Sequence, residues 1–170
     1  MKCLEIIKNI WYNKLNKRRE EEKNMKALDL ANHIIVLSQS QEEKCAVTNL
    51  RVQKILYYVQ GYFFREFGRE AFYDDIYCWR YGPVVPQVYF KYSRNGCNAL
   101  TAEDSTFIST DQEEELIKKV VHQCNNLSTS ALVQKTHDEI PWKYTRQEKV
   151  IYKSTIYNFF KNNDPLKITM

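Results

Sequence analysis

Fourteen of the chain's 23 aromatic residues lie between Tyr57 and Tyr92. Each such ring carries roughly 150–250 Å² of surface that water disfavours, so this stretch either forms the centre of a core or leaves a sticky face exposed. Its order favours the first outcome for most rings. Thr48 offers a side-chain oxygen to the free N–H groups of a helix whose apolar positions are Leu50, Ile55, Leu56, Val59, Tyr62 and Phe63, and Gly68 is placed to end it in the left-handed conformation. Phe72 to Tyr81 then reads as an extended segment, with Ile76 and Cys78 on one side and Tyr77 and Trp79 on the other. Tyr81-Gly82-Pro83-Val84-Val85-Pro86 follows. Two prolines three apart fit the first turn of a helix, where N–H groups have no acceptor, so a helix is expected from Pro83, buried through Val85, Val88, Tyr89 and Tyr92 and ending at Asn95-Gly96.

The flanking sequence is helical in pattern. Ala27, Leu30, Ala31, Ile34 and Leu37 mark a helix with one buried face before a polar stretch at Ser38 to Lys44. Residues 97–109 read as loop, with a strand near Thr106 to Ile108. Thr110 with Glu113 forms a capping box for a helix bearing Leu116, Ile117, Val120, Val121 and Cys124. Ser128 caps another, with Leu127 and Leu132 as a staple and His137 in the last turn, where the helix dipole favours a protonated ring. Thr145 and Glu148 repeat the capping-box pattern before a final helix with Val150, Ile156, Phe159 and Phe160, closed by Pro165. The expected fold is mainly α with one or two short β-strands, a multi-helix single domain over residues 25–162 with a tail at 163–170. Residues 1–24, with Leu4, Ile7, Trp11 and Leu15 at helical spacing among basic residues, read as an amphipathic extension and charged linker.

Charge argues against a nucleic-acid protein. Residues 1–24 hold seven Lys and Arg against four Glu, which leaves 18 basic and 17 acidic groups in the remainder, a nearly neutral body with no basic stripe. Five scattered cysteines without a Cys-x-x-Cys pair, no leader pattern and no apolar run near the ~20 residues that span a bilayer lead to the expectation of free thiols and a cytoplasmic location. No catalytic set emerges, and an enzyme is not expected. His122-Gln123-Cys124 is the only close Cys–His pair, and residues two apart on a helix do not converge on a metal. Pairing of Cys45, Cys78 or Cys97 with His137 and Asp138 is not legible from sequence order. The glycines at 61, 68, 82 and 96 are too dispersed for a nucleotide loop, so neither metal nor cofactor is expected.

Three segments together resemble the Panacea domain of SocA-like antitoxins and GepA-type phage-associated proteins: Thr48-Asn49-Leu50-Arg51-Val52-Gln53-Lys54-Ile55-Leu56-Tyr57-Tyr58, then Trp79-Arg80-Tyr81-Gly82-Pro83-Val84, then Thr136-His137 with Pro141-Trp142-Lys143. They occur in order across about residues 25–162. The resemblance implies a helical domain from prophages or mobile elements that neutralises a protein toxin encoded nearby by binding it; the leading reading is an antitoxin that either sequesters the toxin or presents it to a protease. Carried over by position, Gln53, Lys54, Tyr57 and Tyr58 fall in the signature helix, Trp79, Tyr81, Gly82 and Pro83 in the central turn, and His137 and Trp142 in the distal motif. These ten are the expected partner-binding set, with no catalytic residue among them; Gln53, Lys54, Tyr58 and Tyr81 are the expected exposed patch. A second reading, a DNA-binding regulator of its own operon, rests on the basic extension, and a third is a prophage interaction module without a toxin.

Overall fold

The computed structural model describes residues 26–40, 47–102 and 104–168. The expected N-terminal extension lies outside these. Seven α-helices and a small sheet are described: α1 Ala27–Ser40, α2 Asn49–Phe67, β1 Ile76–Trp79, β2 Gly82–Val84, α3 Pro86–Lys91, α4 Asp111–Asn125, α5 Thr129–Asp138, α6 Ile140–Lys143, β3 Val150–Ile151 and α7 Lys153–Asn162, with a 3-10 turn at Ser93–Asn95. The fold is mainly α, as the periodicity predicts. The strands form one antiparallel sheet in the order β2-β1-β3, with Trp79 opposite Gly82 and Ile76 opposite Ile151.

Helix α2 is the axis. Every residue from Arg51 to Phe64 is buried, because α1, α4, α5, α7 and β2 all pack around it. Its ends are set as the sequence predicts: the Thr48 side chain accepts from Arg51 N–H, and Gly68 takes φ 65° and donates its N–H to the Phe64 carbonyl. A helix buried on all sides is normally apolar all round. This one is not, for Arg51, Gln53, Lys54 and Gln60 are as buried as its aromatic rings. A buried polar group without a partner costs about 1–3 kcal/mol, so each of these side chains must find one in whatever packs against it.

Arg51 does so at the C-terminus of α4, donating to the carbonyls of Cys124 (2.9 Å) and Leu127 (3.0 Å) and to Thr129 Oγ1 (3.2 Å). Carbonyls at that end lack helical partners and carry the negative end of the dipole, so a cation caps them. Gln60 holds the loop after α2, accepting from Ala71 N–H (2.9 Å) and Phe72 N–H (3.2 Å) and donating to the Phe72 carbonyl (3.0 Å). Tyr62 donates to Asp164 and accepts from Leu166 N–H at 2.9 Å, which draws Leu166 and Ile168 into the core. Asp74 accepts from Ala27 N–H at 2.7 Å and so caps α1.

Several local expectations fail. The helix placed at Pro83 begins at Pro86, since Gly82–Val84 pairs with β1 as a strand, and Tyr89 is exposed rather than buried. Pro83 is tolerated there because the edge it occupies is covered by α2 and not by another strand. Thr106 to Ile108 is not a strand. The Thr145/Glu148 capping box does not form: Glu148 takes a positive φ of 64°, its N–H donates to the Cys78 carbonyl, and α7 starts later, at Lys153. The other capping box, at Thr110 and Glu113, and the Ser128 cap are present.

Gly61 exposes how tightly α2 is enclosed. A Cβ at that position would stand 2.2 Å from the ring of Phe160 on α7, a ring that also meets Tyr57, Tyr58 and Tyr62 edge to face. Gly61→Ala, which stabilises an exposed helix by about 1 kcal/mol, is therefore expected to destabilise this protein by about 1–3 kcal/mol through overpacking. Urea denaturation in a double-mutant cycle with Phe160→Leu should show the alanine costing less once the ring is smaller.

Candidate functional site

The three sequence motifs, more than eighty residues apart at their ends, meet at one place beside the first turns of α2. Gln53 and Lys54 lie there side by side. Gln53 accepts from Val85 N–H at 2.8 Å and donates to Asn49 Oδ1 at 3.1 Å, while Asn49 donates to the Tyr89 carbonyl at 2.9 Å. Lys54 Nζ donates to the Pro83 carbonyl at 2.9 Å. These bonds pin β2 and the start of α3 to the helix. They also satisfy backbone groups on the outer side of β2, which would otherwise be an open sheet edge.

Gly82 is required twice. Its φ of 104° is a conformation that side chains disfavour, and a Cβ would sit 2.7 Å from Lys54 Nζ and 2.8 Å from Thr136 Oγ1. Neither Arg80 nor Tyr81 takes a positive φ, so the left-handed residue of this tight hairpin falls on Gly82. The lysine reaches Pro83 through the space the glycine leaves. Burial lowers its pKa from 10.5 to about 7.

On the next turn Tyr57 and Tyr58 donate to the two oxygens of Glu139, at 2.8 and 2.9 Å. Glu139 joins α5 to α6, and it is buried. Burial raises its pKa to about 7 against the opposing pull of the two phenol hydrogen bonds and Lys135. The tyrosines are in turn pushed well above 10.0, by burial first and by Glu139 second. The distal motif closes the arrangement: His137 stacks on Trp142 with centroids 3.7 Å apart and planes 13° from parallel, and Trp142 Nε1 donates to the Trp79 carbonyl at 2.9 Å. The dipole argument for a protonated His137 is overturned. Its pKa is lowered by burial and by nearby Lys54, with Asp138 opposing, and its Nε2 is buried without a hydrogen-bond partner.

The ten residues singled out by sequence thus occupy one locus with different exposures. Gln53, Lys54, Tyr57, Tyr58, Gly82 and Pro83 are buried, Trp79, His137 and Trp142 are half-buried, and Tyr81 is exposed. The expected patch of Gln53, Lys54, Tyr58 and Tyr81 is therefore not a surface in this conformation, apart from Tyr81. What is exposed beside the buried set is an aromatic ledge. Trp79 meets Tyr89 and Phe90 edge to face at 5.1 and 6.1 Å, Phe90 is 64% exposed, Tyr81 is 59% exposed, and the Arg80 guanidinium lies over the Tyr81 ring. Sequence reasoning missed Glu139, Phe90 and Arg80. Glu139 was legible only as an acid between two motif residues, and ring orientation on a six-residue helix leaves no periodic signal.

Cys78 contacts the carbonyls of Trp142 and Thr145, and burial raises its pKa, the opposite of what a nucleophilic thiol requires. Among the described residues no cluster of His, Cys, Asp and Glu is placed to hold a metal, and no helix is long and apolar enough to cross a membrane.

Lys54 and Glu139 give stability an unusual pH dependence. Between pH 4.5 and about 7 the unfolded chain has lost the Glu139 proton that the folded state retains, so stability falls as pH rises. From about 7 towards 10.5 the unfolded chain holds the Lys54 proton that the folded state has released, so stability rises. The rise is curtailed near pH 10, where unfolded tyrosines begin to ionise. Urea denaturation across this range should find a minimum near neutrality. Lys54→Met should flatten the alkaline limb and Glu139→Gln the acid limb.

Comparison with known proteins agrees with this clustering of motifs. A family model described as "Antitoxin SocA-like, Panacea domain" matches residues 52–143, from the signature helix to the end of α6. Antitoxin SocA of Caulobacter vibrioides (strain NA1000 / CB15N) is 27% identical over 115 residues, a match covering 61% of this chain and 61% of that protein. No solved structure matches. With more than half of its length matched, the chain belongs to the SocA-like Panacea domain family.

Proposed function

We propose that this protein is an antitoxin that neutralises a partner protein toxin by binding it directly, and that the hairpin and α3 form the contact surface. The observation that carries the reading is the division within the motif locus. Buried polar side chains fix the backbone of β2 and α3 from beneath, Trp142 holds the end of β1, and Tyr81, Tyr89 and Phe90 are exposed on that backbone. Aromatic side chains and Arg on a rigid support are the groups that most often dominate protein interfaces, because little side-chain entropy is lost on docking. The relative called Antitoxin SocA supplies the direction of the effect. In this reading the signature residues Gln53, Lys54, Tyr57 and Tyr58 position the surface, and His137 and Trp142 brace it through Trp79.

Co-expression with the adjacent open reading frame is the test. The neighbour should arrest growth alone and be neutralised by this protein; continued arrest in its presence would refute the pairing. Tyr81→Ala with Phe90→Ala should weaken the complex by about ten- to a hundredfold, read by titration calorimetry, with the thermal midpoint unchanged because both rings are exposed.

A further inference from the structure

We propose that the groove beside the hairpin receives an acidic segment of the partner, anchored by one aromatic side chain; this deepens the antitoxin reading and rests on it. The groove holds about 540 Å³ and is lined by Tyr77, Trp79, Arg80, Pro86, Gln147 and Glu148. The half-buried rings of β1 and the proline that opens α3 make its surface largely apolar, and it is open to solvent. A flat aromatic or long apolar side chain fits such a groove.

The segments that line the groove determine the charge of the occupant. Residues 142–149 wrap the end of β1, through Trp142 to the Trp79 carbonyl and through Glu148 and Lys149 to the backbone of Cys78. That segment carries Lys143, Arg146 and Lys149, all exposed, the last two flanking the lining residues Gln147 and Glu148, and Arg80, also exposed, lines the groove itself. None of these four cations forms an ion pair among the described residues. Against the single acid Glu148, segments 77–80 and 142–149 thus carry four cations, a local excess in a body of 18 basic and 17 acidic groups, and that excess complements an acidic ligand. Glu148, on the groove wall with its backbone held at φ 64°, is the one acid there. A continuous phosphate backbone would meet it directly, whereas a peptide can place an uncharged residue opposite it, and this favours a peptide over nucleic acid.

Fluorescence anisotropy on the full chain tests this with a labelled short peptide of Asp and Glu around a central Phe, its counterpart with Asn and Gln, and a single-stranded DNA of equal charge. The acidic peptide should bind, weaken with added salt, and bind about tenfold or more weakly both when its acids are amides and when the protein carries Arg146→Glu with Lys149→Glu. Lys143→Glu with Arg80→Glu provides an independent variant, and the thermal midpoint of each verifies folding. Equal binding of the amide peptide, indifference to both charge reversals, or tighter binding of the DNA would overturn the proposal. Co-expression separates this failure from that of the antitoxin reading. If the charge-reversed proteins neutralise the adjacent frame as well as the wild type does, the groove is wrong and the antitoxin reading stands. If the wild type fails to neutralise it, the antitoxin reading falls, and the peptide titration alone decides the groove.

Discussion

A helix enclosed on every side while carrying Arg, Lys and two Gln is the constraint on which the remaining structure depends. Burial makes each of those side chains costly unless it is hydrogen-bonded, and α2 distributes the partners among separate parts of the chain: the end of α4 for Arg51, β2 and α3 for Gln53 and Lys54, the following loop for Gln60. Tyr57, Tyr58 and Tyr62 extend the same device to the α5–α6 junction and the C-terminal segment. An apolar helix could bury comparable area, but apolar contact alone would not fix which segment lies where. Here hydrogen-bond direction specifies register around the axis, and the Gly82 gap and Phe160 ring show how little slack remains.

Much of this was legible in sequence where local physics decides. The caps of α2, α4 and α5 follow from side chains within a few residues, and they form as expected. The aromatic density did mark the core. What could not be read was burial of polar residues, because Gln53 and Lys54 on a helix look like a solvated face until β2 is known to lie over them. The same blindness displaced the third helix from Pro83 to Pro86: pairing with β1 is a long-range event, and two prolines near a helix start satisfy the local rule in either register. Glu148 failed as a helix cap for a similar reason, its backbone being claimed by Cys78 seventy residues earlier.

For function, the consequence is a separation of roles within one set of motif residues. Those with the strongest sequence signature hold the scaffold, and the rings that meet solvent lie between or beside them. The fold also brings motifs far apart in sequence together in space, around the hairpin and the first turns of α2.

Hydrogen exchange on this protein, alone and co-expressed with the product of the adjacent reading frame proposed as its toxin, tests that separation most directly. The account predicts new protection at the amides of Tyr77 to Phe90 and Trp142 to Lys149, with those of α2 slow and unchanged. Protection confined to the outer faces of α1 and α4, with the hairpin exchanging as freely as before, would contradict it.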